Sequence, residues 1–214
     1  MGGALAGLAI LLIGDSHVAT PNYLIASFHE ALEAQGATVN SYGTCGGMAM
    51  DWVLKVTASC RAERHGAGAP VYTNKVEPSW SIDELIGENH PNLAIVVLGD
   101  TMAGYDKPEL PKAWIYDQVH QLTGRIAAHN IACAWVGPIW GNAQSMFHKT
   151  DARVVEMSQF LSESVAPCDF IDSTRFARPG EWPTTDGQHL TPGGYRKWSA
   201  GLVAALVQMR GRLH

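Results

Sequence analysis

The sequence predicts one three-layer α/β domain, with helices covering both faces of a central, mostly parallel sheet of five strands. Three observations carry that reading. Short, continuous apolar runs at residues 8–13, 93–98 and 131–136 have the length and composition of strands buried on both faces. Segments with apolar residues at helical spacing lie between them, and an alternation of strand and helix implies right-handed crossovers and parallel strands. The chain has 214 residues, 46% hydrophobic and 16% charged, which is enough for one sizeable core and excludes disorder. No repeat or linker divides it, so the domain is expected to span residues 1–214.

The elements follow in order. Residues 8–13 form the first strand. Thr20-Pro21 then offers an N-cap and a proline at the first helical position, and Leu24, Phe28, Ala31 and Leu32 recur at helical spacing until Gly36 stops the helix. Residues 37–42 supply a second strand. Between about 44 and 80 the pattern weakens among glycines and prolines, and the stretch reads as a long surface insertion. Ser81-Ile82-Asp83-Glu84 is a capping-box sequence opening a short helix. The strand at 93–98 follows, then a helix marked by Ile115, Val119, Leu122 and Ile126, then the strand at 131–136. Residues 151–165 are helical, residues 170–171 sit in a last short strand, and Thr191-Pro192 caps a final helix with Tyr195, Trp198, Leu202 and Leu206 facing the core.

Composition narrows the function. A net charge of −5 and a pI near 6.0 argue against a nucleic-acid binder. No apolar run approaches the ~18 residues of a membrane span. The longest, at 4–13, has no Lys or Arg before it, so it reads as a buried strand rather than a signal peptide. The compartment stays open between the cytoplasm and export with the signal already removed. The cysteines form no CxxC and no zinc-like spacing with histidine. Cys133 reads as a small buried hydrophobe, and Cys45 with Cys60 is a candidate loop disulfide in an exported protein. His29, His65, His90, His120, His129 and His148 show no metal-ligand pattern, so neither a metal nor an organic cofactor is expected.

In parallel sheets the chemistry lies beyond the carboxyl ends of the strands, here the loops after Ile13, Tyr42, Leu98 and Ile171. The first loop reads Gly14-Asp15-Ser16-His17, placing a serine between a buried strand and a helix, where the helix dipole favours developing negative charge. A serine hydroxyl is a weak nucleophile without a base, and an imidazole base works best when a carboxylate fixes its tautomer. Asp186 and His189, on the final strand-to-helix loop, have the chemistry for both roles.

Gly14-Asp15-Ser16-His17 near the start and Asp186-Gly187-Gln188-His189-Leu190-Thr191-Pro192-Gly193-Gly194-Tyr195 near the end together resemble the SGNH hydrolases, the GDSL-type esterase superfamily. The resemblance follows the whole chain in order and spacing, with the first and last blocks the specific ones. It implies a flavodoxin-like sheet, Ser16 as nucleophile and Asp186 and His189 as its partners. The family's second block donates a glycine N–H to the oxyanion, which matches Gly46, with Gly47 one residue away. In its third block the family has Gly-x-Asn-Asp, and this chain has Gly99-Asp100-Thr101-Met102, which puts Thr101 where the asparagine donor stands. The implied oxyanion hole is the N–H groups of Ser16 and Gly46 with the Thr101 hydroxyl. The implied activity is hydrolysis of carboxylic esters, short-acyl ones such as O-acetyl groups on carbohydrate, with a small-molecule or carbohydrate ester as the partner. The altered third block motivates a competing reading, a weakened or non-catalytic binding module on the same fold. A lipase or thioesterase of the superfamily is a further alternative.

Overall fold

Residues Ala9–Gly14 form β1, the middle strand of the main sheet in the computed structural model, which describes residues 3–213. Ile10 and Leu12 face one hydrophobic core while Leu11 and Ile13 face the other. A strand covered on both faces has no polar side, and that is why its sequence is continuously apolar. The chain continues through a short helix α1 (Ser16–Ala19), α2 (Leu24–Ala34), β2 (Thr38–Thr44) and α3 (Asp51–Leu54). Four short strands follow: β3 (Thr57–Ala58), β4 (Arg61–His65), β5 (Val71–Thr73) and β6 (Glu77–Pro78). The remainder alternates as α4 (Ile82–Asn89), β7 (Leu93–Val97), α5 (Lys112–Ala128), β8 (Ala132–Val136), α6 (Asp151–Ser164), β9 (Asp169–Ile171) and α7 (Pro192–Met209).

The main sheet has the order β5-β4-β2-β1-β7-β8-β9. Its five parallel strands, β2-β1-β7-β8-β9, have the doubly wound order 2-1-3-4-5, with the switch point at β1. Helices α2 and α7 cover one face, where Phe28, Trp198, Leu202 and Leu206 join Ile10 and Leu12 in one core. Helices α4, α5 and α6 cover the other, contributing Leu85, Val119, Leu122 and Leu161. Ser81 accepts from the Glu84 N–H while the Glu84 carboxylate accepts from the Ser81 N–H, the reciprocal cap its sequence announces.

Three expectations need correction. The sheet has seven strands rather than five, because β4 and β5 add antiparallel to β2 from within the stretch expected to be a loop. The burial of β4 does alternate, but its inward residues are Ala62 and Arg64, so no hydrophobic pattern announces it. The Arg64 guanidinium is satisfied there by the Glu30 carboxylate at 3.0 Å and the carbonyls of Ile25 and Gly68. Thr20-Pro21 does not open the second helix. It lies in a turn closed by the Tyr23 N–H on the Thr20 carbonyl, and α2 starts at Leu24. Cys133 is not a lone small hydrophobe: it is disulfide-bonded to Cys168 across β8 and the approach to β9, while Cys45 is bonded to Cys60.

Candidate active site

The switch point delivers Ser16. Gly14 ends β1, Asp15 caps α1 as its side-chain oxygen accepts from the His17 N–H, and Ser16 is the first residue of that helix. α1 packs tightly on the end of β2: a Cβ at Gly43 would run into the backbone of Ala19, so only glycine lets the two approach.

The other two members, Asp186 and His189, arrive on the loop before α7. Thr184 and Leu190 form an antiparallel bridge, and the Thr185 N–H donates to the His189 carbonyl at 2.8 Å, closing a tight loop at residues 185–189. Inside it, Asp186 Oδ1 accepts the N–H groups of Gln188 and His189 at 2.9 and 2.8 Å. Gly187 adopts φ +89, the left-handed region that the turn requires. Thr191 then caps α7, with Pro192 in its first turn, as the sequence predicts.

These elements bring Ser16, His189 and Asp186 into one hydrogen-bonded series. Ser16 Oγ lies 2.7 Å from His189 Nε2, and His189 Nδ1 lies 2.6 Å from Asp186 Oδ2. A carboxylate at Nδ1 holds the imidazole proton there, so Nε2 is left to accept the serine proton. Burial pushes the Asp186 carboxyl up, but hydrogen bonds from the His189 and Gln188 backbone and from the imidazole outweigh it, and the group is held below its ordinary value. Three rings surround the imidazole, with centroid distances of 5.0 Å to His17, 5.6 Å to Tyr23 and 6.0 Å to Phe147.

Among the described residues, the N–H groups of Ser16 and Gly46 have no acceptor within the chain, whereas the Gly47 N–H donates to the Thr44 carbonyl at 3.1 Å. Gly46, at φ +70, is exposed on the loop that the Cys45–Cys60 bond anchors to the start of β4. Of the two glycines, Gly46 therefore has the donor to offer. Thr101 is different. Its hydroxyl donates to the Gly47 carbonyl at 2.8 Å, so its one proton is committed to the glycine loop rather than held out toward an oxyanion.

A second polar cluster lies behind the series, and sequence reading missed it. Asp100 is buried with one carboxylate oxygen 2.7 Å from His17 Nε2 and 2.5 Å from Lys149 Nζ, and the other accepting from Tyr105 Oη at 2.5 Å. His17 Nδ1 lies 2.6 Å from Tyr195 Oη. Burial holds His17 down to about 4, despite the neighbouring carboxylate. Burial raises Asp100, but the Lys149 ammonium and the His17 hydrogen bond overcome it and hold the carboxyl well below the usual range. Asp15, fully buried and facing the charge of Asp100, is pushed up to about 8. Lys149 follows a surface loop and has no periodic context, so no sequence signal marks it as buried.

No family model matches the chain. The protein BcsX of Komagataeibacter xylinus is 40% identical over 210 residues, which cover 97% of this chain and 79% of the relative. The chain belongs to the BcsX family. The BcsX-family chain is also similar in structure to a lipase/acylhydrolase from Enterococcus faecalis, with a TM-score of 0.63 at 16% identity, over 96% of each chain. A DUF4886 family protein from Bacteroides uniformis gives a TM-score of 0.66 at 15% identity, over 93% of this chain and 82% of that one. A GDSL-like lipase from Bacteroides thetaiotaomicron gives 0.58 at 12% identity, over 93% and 87%. This member of the BcsX family thus has the SGNH hydrolase fold that its first and last sequence blocks resemble.

Proposed function

We propose that this protein is a serine esterase that hydrolyses carboxylic esters through an acyl-enzyme on Ser16. One observation carries the reading: the hydrogen-bonded series from Ser16 Oγ through the His189 ring to Asp186, at 2.7 and 2.6 Å. His189 takes the hydroxyl proton as Ser16 Oγ attacks the carbonyl carbon, and Asp186 steadies the resulting imidazolium. The oxyanion is received by the N–H groups of Ser16 and Gly46, and the imidazolium returns its proton to the leaving alcohol. Water, deprotonated by the same histidine, then releases the acid and restores the serine.

Short-acyl esters, O-acetyl groups on carbohydrate among them, suit this reading. The similar solved structures include an acetyl xylan esterase and a carbohydrate esterase family 3 protein, whose names support a carbohydrate ester without deciding it. Thr101 acts in this account as a support for the glycine loop, not as a third donor.

The test is turnover of p-nitrophenyl acetate by Ser16→Ala, His189→Ala and the double variant. Residues acting as one unit give non-additive losses. Each single variant is expected to lose at least ~10³-fold in kcat, with the double little worse. A Ser16→Ala protein with wild-type turnover, or losses that multiply, would refute the assignment.

A further inference from the structure

The cluster behind the triad is an unusual use of polar groups. Lys149 and Asp100 form an ion pair with almost no exposure, and desolvating such a pair costs several kcal/mol per ion before their attraction repays it. The pair is built with care. Glycine is needed at position 141 because a Cβ there would collide with the Lys149 side chain on its way in. Tyr105 and His17 fill the carboxylate's remaining acceptor sites.

What the cluster holds is His17, the residue that follows the nucleophile. Asp100 accepts at Nε2, so His17 carries its proton there, and Nδ1 accepts from the Tyr195 hydroxyl. The His17 backbone N–H is held by Asp15 Oδ1 at 2.9 Å. The ring is therefore pinned at both nitrogens and its backbone at the amide, which leaves the Ser16 peptide between two fixed points. The same ring lies 5.0 Å from that of His189. Tyr195 extends the wall, because Tyr23 stacks on it at 4.1 Å and Tyr23 in turn faces His189.

We propose that His17 is a positioning residue for this site: Asp100, Lys149 and Tyr195 lock its ring so that it fixes the Ser16 N–H and bears on one side of the His189 imidazole. The inference rests on the reading of Ser16 and His189 as nucleophile and base. It assigns work to a buried charge pair that the reaction itself does not touch. It also accounts for a carboxylate, Asp100, standing one residue from the expected oxyanion donor: Asp100 is turned inward onto His17 and Lys149, where its charge is neutralised.

Two variants test it. Tyr195→Phe removes one hydroxyl and frees Nδ1 of His17. Asp100→Asn combined with Lys149→Met removes both charges together, so that neither is left buried alone. A misplacement of about 1 Å at a reacting group costs roughly 10²-fold. On p-nitrophenyl acetate, kcat is expected to fall ~10-fold for Tyr195→Phe and ~10²-fold for the double variant, with KM within about twofold of wild type in both. Melting temperatures and circular dichroism identify any variant that fails to fold, and Tyr195→Phe carries the kinetic test should the double variant do so. Independently of turnover, ¹⁵N NMR of the wild-type histidines at pH 7 should show His17 as the neutral Nε2–H tautomer. Finding His17 protonated at Nδ1, or folded variants with wild-type kcat, would overturn the positioning role. A Ser16→Ala control in the same assay separates the two ideas: if it is inactive while the folded variants keep full kcat, only the role of His17 fails, whereas an active Ser16→Ala protein removes the esterase reading and this inference with it.

Discussion

Replacing Asp15 by asparagine should stabilise the protein, and by an amount that grows with pH. Asp15 is 1% exposed, directly precedes the candidate nucleophile, and is pushed up to about 8 first by burial and then by the charge of Asp100. In the unfolded chain the same carboxyl titrates near 3.8. Between those values the folded state holds a proton that the unfolded state has released. Stability is therefore present in full below pH ~4 and is lost as pH rises toward 8. Each pH unit in that window is worth about 1.4 kcal/mol, so the whole interval amounts to something on the order of 5 kcal/mol. Asparagine has nearly the same shape, keeps an acceptor for the His17 N–H and is neutral at every pH. All other titrating groups are common to the two proteins, so the difference between them isolates position 15. Urea unfolding at pH 5, 6, 7 and 8 measures it. Asp15→Asn should gain on the wild type by roughly 1 kcal/mol per unit, reaching several kcal/mol at pH 8. A stability difference that does not change across those four pH values would show that Asp15 is ionised in the folded protein and that the argument is wrong.

Two further outcomes follow from the glycine loop. Replacing Cys45 and Cys60 together by alanine opens a crosslink spanning 15 residues next to Gly46, which should cost about 3 kcal/mol of stability by chain entropy and lower kcat on p-nitrophenyl acetate by more than it raises KM. Unchanged kcat in the folded double variant would remove the disulfide from the account of the oxyanion hole. Thr101→Val deletes the hydrogen bond to the Gly47 carbonyl and should cost ~1 kcal/mol in thermal unfolding with a several-fold drop in kcat, whereas Thr101→Ser should restore both. A loss of ~10³-fold in kcat with no loss of stability would instead make the hydroxyl a direct oxyanion donor.

The sequence was most readable where one physical requirement dominates a segment. Strand β1 must be apolar on both faces, Ser81 and Glu84 must cap each other, and Thr191-Pro192 can begin a helix; each is a local demand with a local signature. The members of the hydrogen-bonded series were legible for a different reason, since Ser16, Asp186 and His189 sit in loops whose residue types resemble a known family in order. What stayed hidden depended on contacts distant in the chain. Arg64 faces inward in β4 because Glu30 and two carbonyls, all more than three residues away, neutralise it. Lys149 is buried because Asp100, 49 positions earlier, receives it. Reading each from its neighbours alone, one expects both side chains at the surface. Thr101 is a third case: its place in the third block suggests an oxyanion donor, and its hydroxyl donates to the Gly47 carbonyl 54 positions earlier, a contact that no local pattern announces.

The claim on which the rest depends is that Ser16 is a nucleophile activated by His189. Mass spectrometry of the intact protein after incubation with a fluorophosphonate, followed by peptide mapping, addresses it without requiring the natural ester. The account predicts one adduct per chain, located on the peptide containing Ser16, absent in Ser16→Ala and formed at least ~10²-fold more slowly in His189→Ala. No adduct on the folded wild type, or an adduct that persists in Ser16→Ala, would contradict it.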